Sequence, residues 1–362
     1  MPHKTTPQRL RPLLARPGAV FRCLGDGLCC TDIHVLGVLT RSEVRELRQR
    51  NKLSVIYSDE IEGHCLKPID HGCLFLGAEK LCSLHAQHGA AAKPVGCRRF
   101  PYGLVSTPVG GRITTEHRCT CRTLGDRPPL SIEDADASLR DRSGRLEVDE
   151  DAPPQIRMGH RKRVPFAVYA AIEADMIARL NAGERAEQVL AARPLPELAE
   201  GAWVNVAAEH IACRDDSAGG EAFAWFGDGL LELAAGHTPP QRGRPWRAAF
   251  ERAVSRPGPP NTAEKVYNDW VADEIWGFGW LQWGPFDVAR AELATRLAVA
   301  RVIARHIQAD GAREDQAAAE AVMVCELISE GNEWPRAVGT ILTVPSPADA
   351  LNLPDMAQRR PA

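Results

Sequence analysis

The chain has 362 residues, and 44 Lys+Arg against 47 Asp+Glu give a formal net charge of −3. With 44% apolar and 25% charged residues, the composition is that of an ordinary globular protein able to bury a core, which excludes disorder of the whole chain. The longest unbroken apolar run, residues 166–172, is far short of the ~20 residues that a membrane-spanning helix needs.

Length alone favours two domains, and the layout agrees. Nine of the 11 cysteines fall in the first 121 residues, whereas all eight tryptophans lie between Trp203 and Trp334. Residues 1–130 carry 19 basic and 11 acidic side chains, net +8; the remainder carries 25 and 36, net −11. Two chemically different modules are therefore expected: an N-terminal extension over 1–19, a cysteine-rich domain over 20–123, a connector over 124–160 and a helical domain over 161–362. The fold class is α+β, with short hairpins and helices in the first module and an all-α second domain.

In chain order, Pro7, Pro12 and Pro17 punctuate an irregular start. Gly25 and Gly27 then permit a tight loop between Cys23 and Cys29-Cys30. Residues 33–38 read as a short strand. Thr40 followed by Glu43 is a capping box opening a strongly polar surface helix. Segments 73–76 and 81–84 flank a four-residue turn, which predicts a hairpin. A second hairpin is expected from 104–109 and 112–117, turning at Gly110-Gly111. The connector holds one short helix over 132–140.

Beyond it, Pro165 starts a helix with Ile172, Met176 and Leu180 on one face, and Asn261 with Glu264 caps another. Helices over 287–308 and 317–330 follow, the first with Leu293, Leu297, Ile303 and Ile307 along a broad face. Trp270, Trp276, Phe278, Trp280 and Trp283 read as core rather than as a binding pocket. Cys213 and Cys325 read as structural cysteines.

No apolar signal segment follows the N-terminus, so a cytoplasmic protein is expected, although an arginine-rich start also has the composition of an organellar transit peptide. In a reducing compartment clustered cysteines point to metal or redox chemistry rather than disulfides. The spacings are C-x5-C-C, then x34, x7, x8, x14 and x21, and finally C-x-C. None is a paired zinc-ribbon knuckle, so ligands must come from separate loops. Adjacent residues rarely reach one ion together; either one of Cys29 and Cys30 stands behind the other, or there are two centres. His85, two residues past Cys82 in a C-x2-H pattern, has a spacing suggestive of zinc. His71 and His117, each two residues before a cysteine, read as solvent-facing or hydrogen-bonded.

Phe21-x-Cys23 running to Cys29-Cys30, Cys73-x-Phe75-Leu76, Cys82-x-Leu84-His85, and Lys93-Pro94-x-x-Cys97-Arg98-x-Phe100-Pro101 resemble the YkgJ family of cysteine-cluster proteins. Cys119 resembles the late cysteine of longer members. The resemblance covers about residues 20–122 and implies a zinc- or iron-chelating domain. Two positions depart from it: Asp26 stands where a cysteine is usual, and Lys93 where arginine is usual. Cys65 and Cys121 lie outside the shared pattern. The expected ligands are Cys29, Cys30, Cys73, Cys82 and Cys97, then Cys23 and Cys119, holding an iron–sulfur cluster of [4Fe-4S] type or zinc.

The same domain resembles the cysteine-rich part of flagellin lysine N-methylases, which implies a second function: S-adenosylmethionine-dependent methyl transfer to lysine in a partner protein. No Gly-rich strand-to-helix loop supports a Rossmann-like methyltransferase. The net +8 raises a third, a nucleic-acid module. The arginines, however, border cysteines at Arg22, Arg98, Arg99, Arg118 and Arg122, which suggests countercharge for a thiolate site instead. A protein partner is expected through the helical domain.

Overall fold

The structure, a computed structural model, describes residues 10–343 apart from 35–36, 60–61, 70–71, 79, 142, 197, 199–200 and 256–260. The first part carries β1 (Leu13–Ala15), α1 (Arg41–Arg50), β2 (Val55–Ser58), β3 (Gly63–Leu66), β4 (Pro68–Ile69), β5 (Gly72–Cys73), α2 (Ser83–His88), α3 (Val95–Arg99), β6 (Tyr102–Thr107), β7 (Gly110–Thr115) and α4 (Thr120–Thr123). Next come α5 (Ile132–Ser138), β8 (Glu150–Asp151), β9 (Gln155–Arg157) and β10 (Arg163–Pro165). The rest is helical: α6 (Phe166–Asn181), α7 (Ala186–Leu190), α8 (Gly201–Ala212), α9 (Ala218–Ala235), α10 (Arg247–Val254), α11 (Ala263–Gly277), α12 (Phe286–Ala309), α13 (Glu314–Glu330) and α14 (Glu333–Thr343). The α+β class is as expected.

The capping box at Thr40 is present: its hydroxyl accepts from the Glu43 amide while the Glu43 carboxylate accepts from the Thr40 amide at 2.7 Å. Glu43 is nonetheless buried, because its other oxygen accepts from the Val95 amide at 2.8 Å and ties α1 to α3. The strand expected over 33–38 does not form among its described residues; positions 35 and 36 lie outside them.

The hairpin expected over 73–84 is half right. Its turn closes, with the Gly77 amide donating to the Leu81 carbonyl at 2.9 Å, but the second arm becomes α2. That arm, Ser-Leu-His-Ala-Gln-His, contains no β-branched residue, so nothing in it resists a helix.

The later hairpin forms two residues earlier than expected. Its turn is Pro108-Val109, while Gly110 and Gly111 sit inside β7. β1 runs parallel to β7 in a four-stranded sheet of order β1-β7-β6-β8. A Cβ on Gly110 would stand 2.3 Å from the Pro12 carbonyl oxygen, and one on Gly111 2.8 Å from that of Leu10. Glycine is required there by the approach of the N-terminal strand rather than by the turn. The connector contributes structure too: β8 pairs with β6, and β9 with β10.

In the helical part, α6 buries Phe166, Tyr169, Glu173, Met176, Ile177 and Leu180 at helical spacing, leaving Ile172 40% exposed on the other side. The cap of α11 is Thr262, one residue later than expected, its side chain accepting from the Lys265 amide. In α12 the face carrying Leu293, Leu297, Ile303 and Ile307 is buried as expected. Small buried residues on α13, Ala317, Ala318, Ala319 and Ala321, let α12 lie close along it. The tryptophan cluster is core, with Phe278 stacked on Trp280 at 5.6 Å. Leu28, Ile33, Val105 and Leu124 from the first part belong to this same core, so the two parts are not packed as separate bodies.

Polar contacts reinforce that union, and most come from one stretch. Arg112 of β7 makes a two-pronged pair with Glu173 of α6, both contacts 2.7 Å, and lies 4.0 Å from the Trp276 ring. Arg122, fully buried, pairs with Asp269 and Asp273 of α11 and donates to Thr115 at 2.7 Å. Arg16 pairs with the same two aspartates, and His117 sits 2.8 Å from Asp273. Arg118 reaches Glu330 of α13 at 2.7 Å, while its amide donates to Glu326 at 2.6 Å.

Replacing Arg122 by Met should cost about 3–5 kcal/mol in urea or thermal unfolding, because the buried Asp273 and the half-buried Asp269 lose a counter-ion. A loss below about 1 kcal/mol, the value of a surface pair, would contradict the role. The acid limb tests the other partners. Burial pushes Asp269 up, but Arg122 and Arg16 outweigh it and hold it at about 2; Asp273 is held well below the usual range by the same balance. Depressed carboxylates stabilise above their unfolded value of about 4 and lose that contribution as pH falls through the folded value. Stability should therefore fall from about pH 4 towards pH 2, less steeply in Asp273→Asn than in the parent chain.

Candidate metal centre

The loop after Phe21 is fixed at both ends. Phe21 packs edge-on against Tyr102 of β6 at 5.1 Å, and Leu28 is 1% exposed in the core. Between them Gly25 and Gly27 take φ of 67° and 79°, conformations that side-chain-bearing residues rarely adopt, and a short turn over Leu28–Cys30 follows. Thr31 bridges to Gly72, which brings Cys29 and Cys30 beside Cys73 of β5. Cys65 lies in β3 and Cys97 within α3.

These five cysteines, Cys29, Cys30, Cys65, Cys73 and Cys97, line one cavity of about 250 Å³ together with Asp32 and His34. Leu39, Ile56 and Leu66 supply apolar wall. Burial pushes the Cys97 thiol up to about 12, aided by Cys73, Cys29 and Cys82 and opposed by Lys93. Cys29 is raised by its bond to Cys30 and then by burial; Cys73 is raised chiefly by burial. Thiols that raise one another in this way are short of positive charge, which a bound cation would supply.

Cys82, at the start of α2, is half-buried and electrostatically close to Cys73 and Cys97, but it does not line the cavity. His85, suggested by its spacing, is exposed on α2. His71 lies outside the described residues, and His117 serves the contact with Asp273.

Cys23 and Cys119 go elsewhere, to a second group formed with Cys121 and Asp26. The Cys121 sulfur accepts from the Leu24 amide at 3.1 Å and stands 2.9 Å from the Asp26 carboxylate; the thiols of Cys119 and Cys23 both bond to it and hold it below its ordinary range. Asp26 is 3% exposed, and burial, then Cys121, pushes its carboxyl up to about 7. It also caps the loop, accepting from the Leu28 amide at 3.1 Å. The position where the resemblance expects a cysteine thus holds a carboxylate that bonds to a thiol.

The arginines beside the cysteines are not the countercharge that their positions suggest. Arg98 donates to the Arg140 carbonyl at 2.7 Å, Arg99 pairs with Asp149 at 2.6 Å, and Arg118 and Arg122 pair with acids of the helical part. Lys93 lowers both Cys29 and Cys97, and Lys67 stands in the cavity wall. Arg112, Arg118 and Arg122 are thus spent on ion pairs inside the molecule, while Arg41, Arg45, Arg48 and Arg50 of α1 are exposed. Cys325 is buried as expected, whereas Cys213 is exposed.

His34 is the residue that the sequence reading missed. It is 7% exposed, packs against Phe100 at 4.9 Å, and among the described residues has no hydrogen-bond partner at either ring nitrogen. Burial, then Arg118, holds its pKa well below the usual range, so the ring is neutral. Leaving such a group unsatisfied costs about 1–3 kcal/mol per atom. The available signal was its place four residues after Cys30.

Among the described residues, no group of three or more His, Cys, Asp or Glu side chains is arranged to hold a metal ion as it stands. No described helix is long and apolar enough to cross a membrane. Compared with known proteins, the chain matches no family model, no curated protein and no solved structure.

Proposed function

We propose that this is a metal-chelating cysteine-cluster protein, holding an iron–sulfur cluster or zinc. One observation carries the reading: five half-buried cysteines from four separate chain segments line a single cavity, with Lys67 in its wall and Lys93 acting on two of the thiols. A core needs no such convergence, since buried cysteines ordinarily scatter as small apolar residues, as Cys325 does. The donor chemistry fits the group. Thiolate-rich sets suit both zinc and iron–sulfur clusters, and thiols outnumber the single imidazole in the cavity wall.

The support is donor identity and burial, not a shell already closed. Cys29, Cys30, Cys73 and Cys97 are the ligands proposed, with Cys82 alongside. Thiols must lose protons to ligate, and those of Cys29, Cys73 and Cys97 are raised, so uptake releases protons and weakens as pH falls. Lys93 favours the ionised form of Cys29 and Cys97, and the apolar wall limits access of water. When bound, the metal would stabilise the first part of the chain, whose local core around Leu39, Val44, Leu47, Val55, Phe75 and Leu84 is small. The resemblance to YkgJ proteins points the same way.

Anaerobic purification with metal analysis and a visible spectrum tests the proposal. Bound iron with sulfide and charge-transfer absorption, or stoichiometric zinc in a colourless protein, is the expected outcome. The double substitution Cys29→Ser/Cys73→Ser should remove the metal, and Cys213→Ser should retain it. Protein free of metal after reconstitution with iron, sulfide and zinc would overturn the reading.

A further inference from the structure

We infer that His34 is a ligand of this centre, giving it mixed sulfur–nitrogen coordination; the inference rests on the chelating function proposed above. His34 lines the same cavity as the thiols of Cys29, Cys30, Cys65, Cys73 and Cys97. It is more than nine-tenths buried, and among the described residues neither Nδ1 nor Nε2 has a hydrogen-bond partner. Buried imidazoles nearly always find partners, so a ring with two orphaned nitrogens beside a wall of thiols is best explained by a ligand that satisfies one of them. His117 shows the ordinary alternative in this chain: equally buried, it is bonded to Asp273 at 2.8 Å.

The ring is also held in place. Phe100 lies against it with centroids 4.9 Å apart and planes at 44°, and the His34 amide donates to the Thr31 carbonyl at 3.3 Å, directly after the Cys29-Cys30 turn. Ligating imidazoles usually give their other nitrogen to a backbone carbonyl or carboxylate, which fixes the ring and its tautomer. The Arg118 backbone is the group near His34 suited to that task, close enough to act on the ring although short of a well-formed hydrogen bond. Among the described residues, no hydrogen bond uses the imidazole.

X-ray absorption at the metal edge of the anaerobically purified full chain, recorded on the parent protein and on His34→Ala, tests this. The expected spectrum combines sulfur ligands with the outer-shell scattering of one imidazole. That feature should vanish in His34→Ala and be replaced by a further sulfur in His34→Cys. His34→Ala should also surrender its metal to a competing chelator at about tenfold lower chelator concentration or less. An all-sulfur shell in the parent, or an imidazole signal that persists in folded His34→Ala, would overturn the inference and leave chelation standing. A parent chain that takes up no metal would overturn both.

Discussion

Two carboxylates one helical turn apart, Asp269 and Asp273 on α11, hold the molecule together. Arg16 comes to them from the N-terminal strand and Arg122 from the turn after the second hairpin, with His117 and Thr115 completing the shell of Asp273. Burying such charges is worthwhile only when each is matched, and here two guanidinium groups meet two carboxylates with a neutral imidazole beside them. The contrast of +8 and −11 between the two parts of the chain is in large measure the charge of an internal interface. Arg112 with Glu173 and Arg118 with Glu330 extend it.

That interface also frames the cysteines. Residues 112–122 run through strand, turn and short helix, sending Arg112, Thr115, His117, Arg118 and Arg122 to partners in the helical part while delivering Cys119 and Cys121 to the loop that starts at Cys23. From the other side Arg252 of α10 donates to the Asp26 carbonyl at 2.8 Å, so the loop is gripped by the helical part as well. A strand-poor module with a modest core of its own gains rigidity by being built onto a larger one. The thiol cavity is thus positioned partly by residues more than a hundred positions away.

Local patterns were legible in the sequence wherever one physical effect dominated. The capping box at Thr40 and the apolar stripe of α12 are such cases, and both formed as read. Reading failed where two effects compete or where the decisive partner is remote. Gly110-Gly111 has the composition of a turn, but Pro108 takes the turn and the glycines admit β1, which no local pattern announces. The arginines beside the cysteines looked like countercharge because sequence adjacency is visible, while their partners on α11 and α13 are not. Cysteine clustering was legible as a tendency, yet its division into a cavity group and a Cys121-centred group depends on tertiary packing. His34 carries no motif at all; only burial without a partner marks it.

The central claim is that the cavity between the Cys29-Cys30 turn, β5 and α3 is a metal site. An anomalous difference map, recorded at the iron or zinc edge from crystals grown without oxygen, tests it most directly. The account predicts the principal peak inside that cavity, between Cys73 and Cys97 and against the His34 ring. A metal-replete crystal with its peak among Cys23, Cys119 and Cys121 alone, or away from every described cysteine, would contradict it.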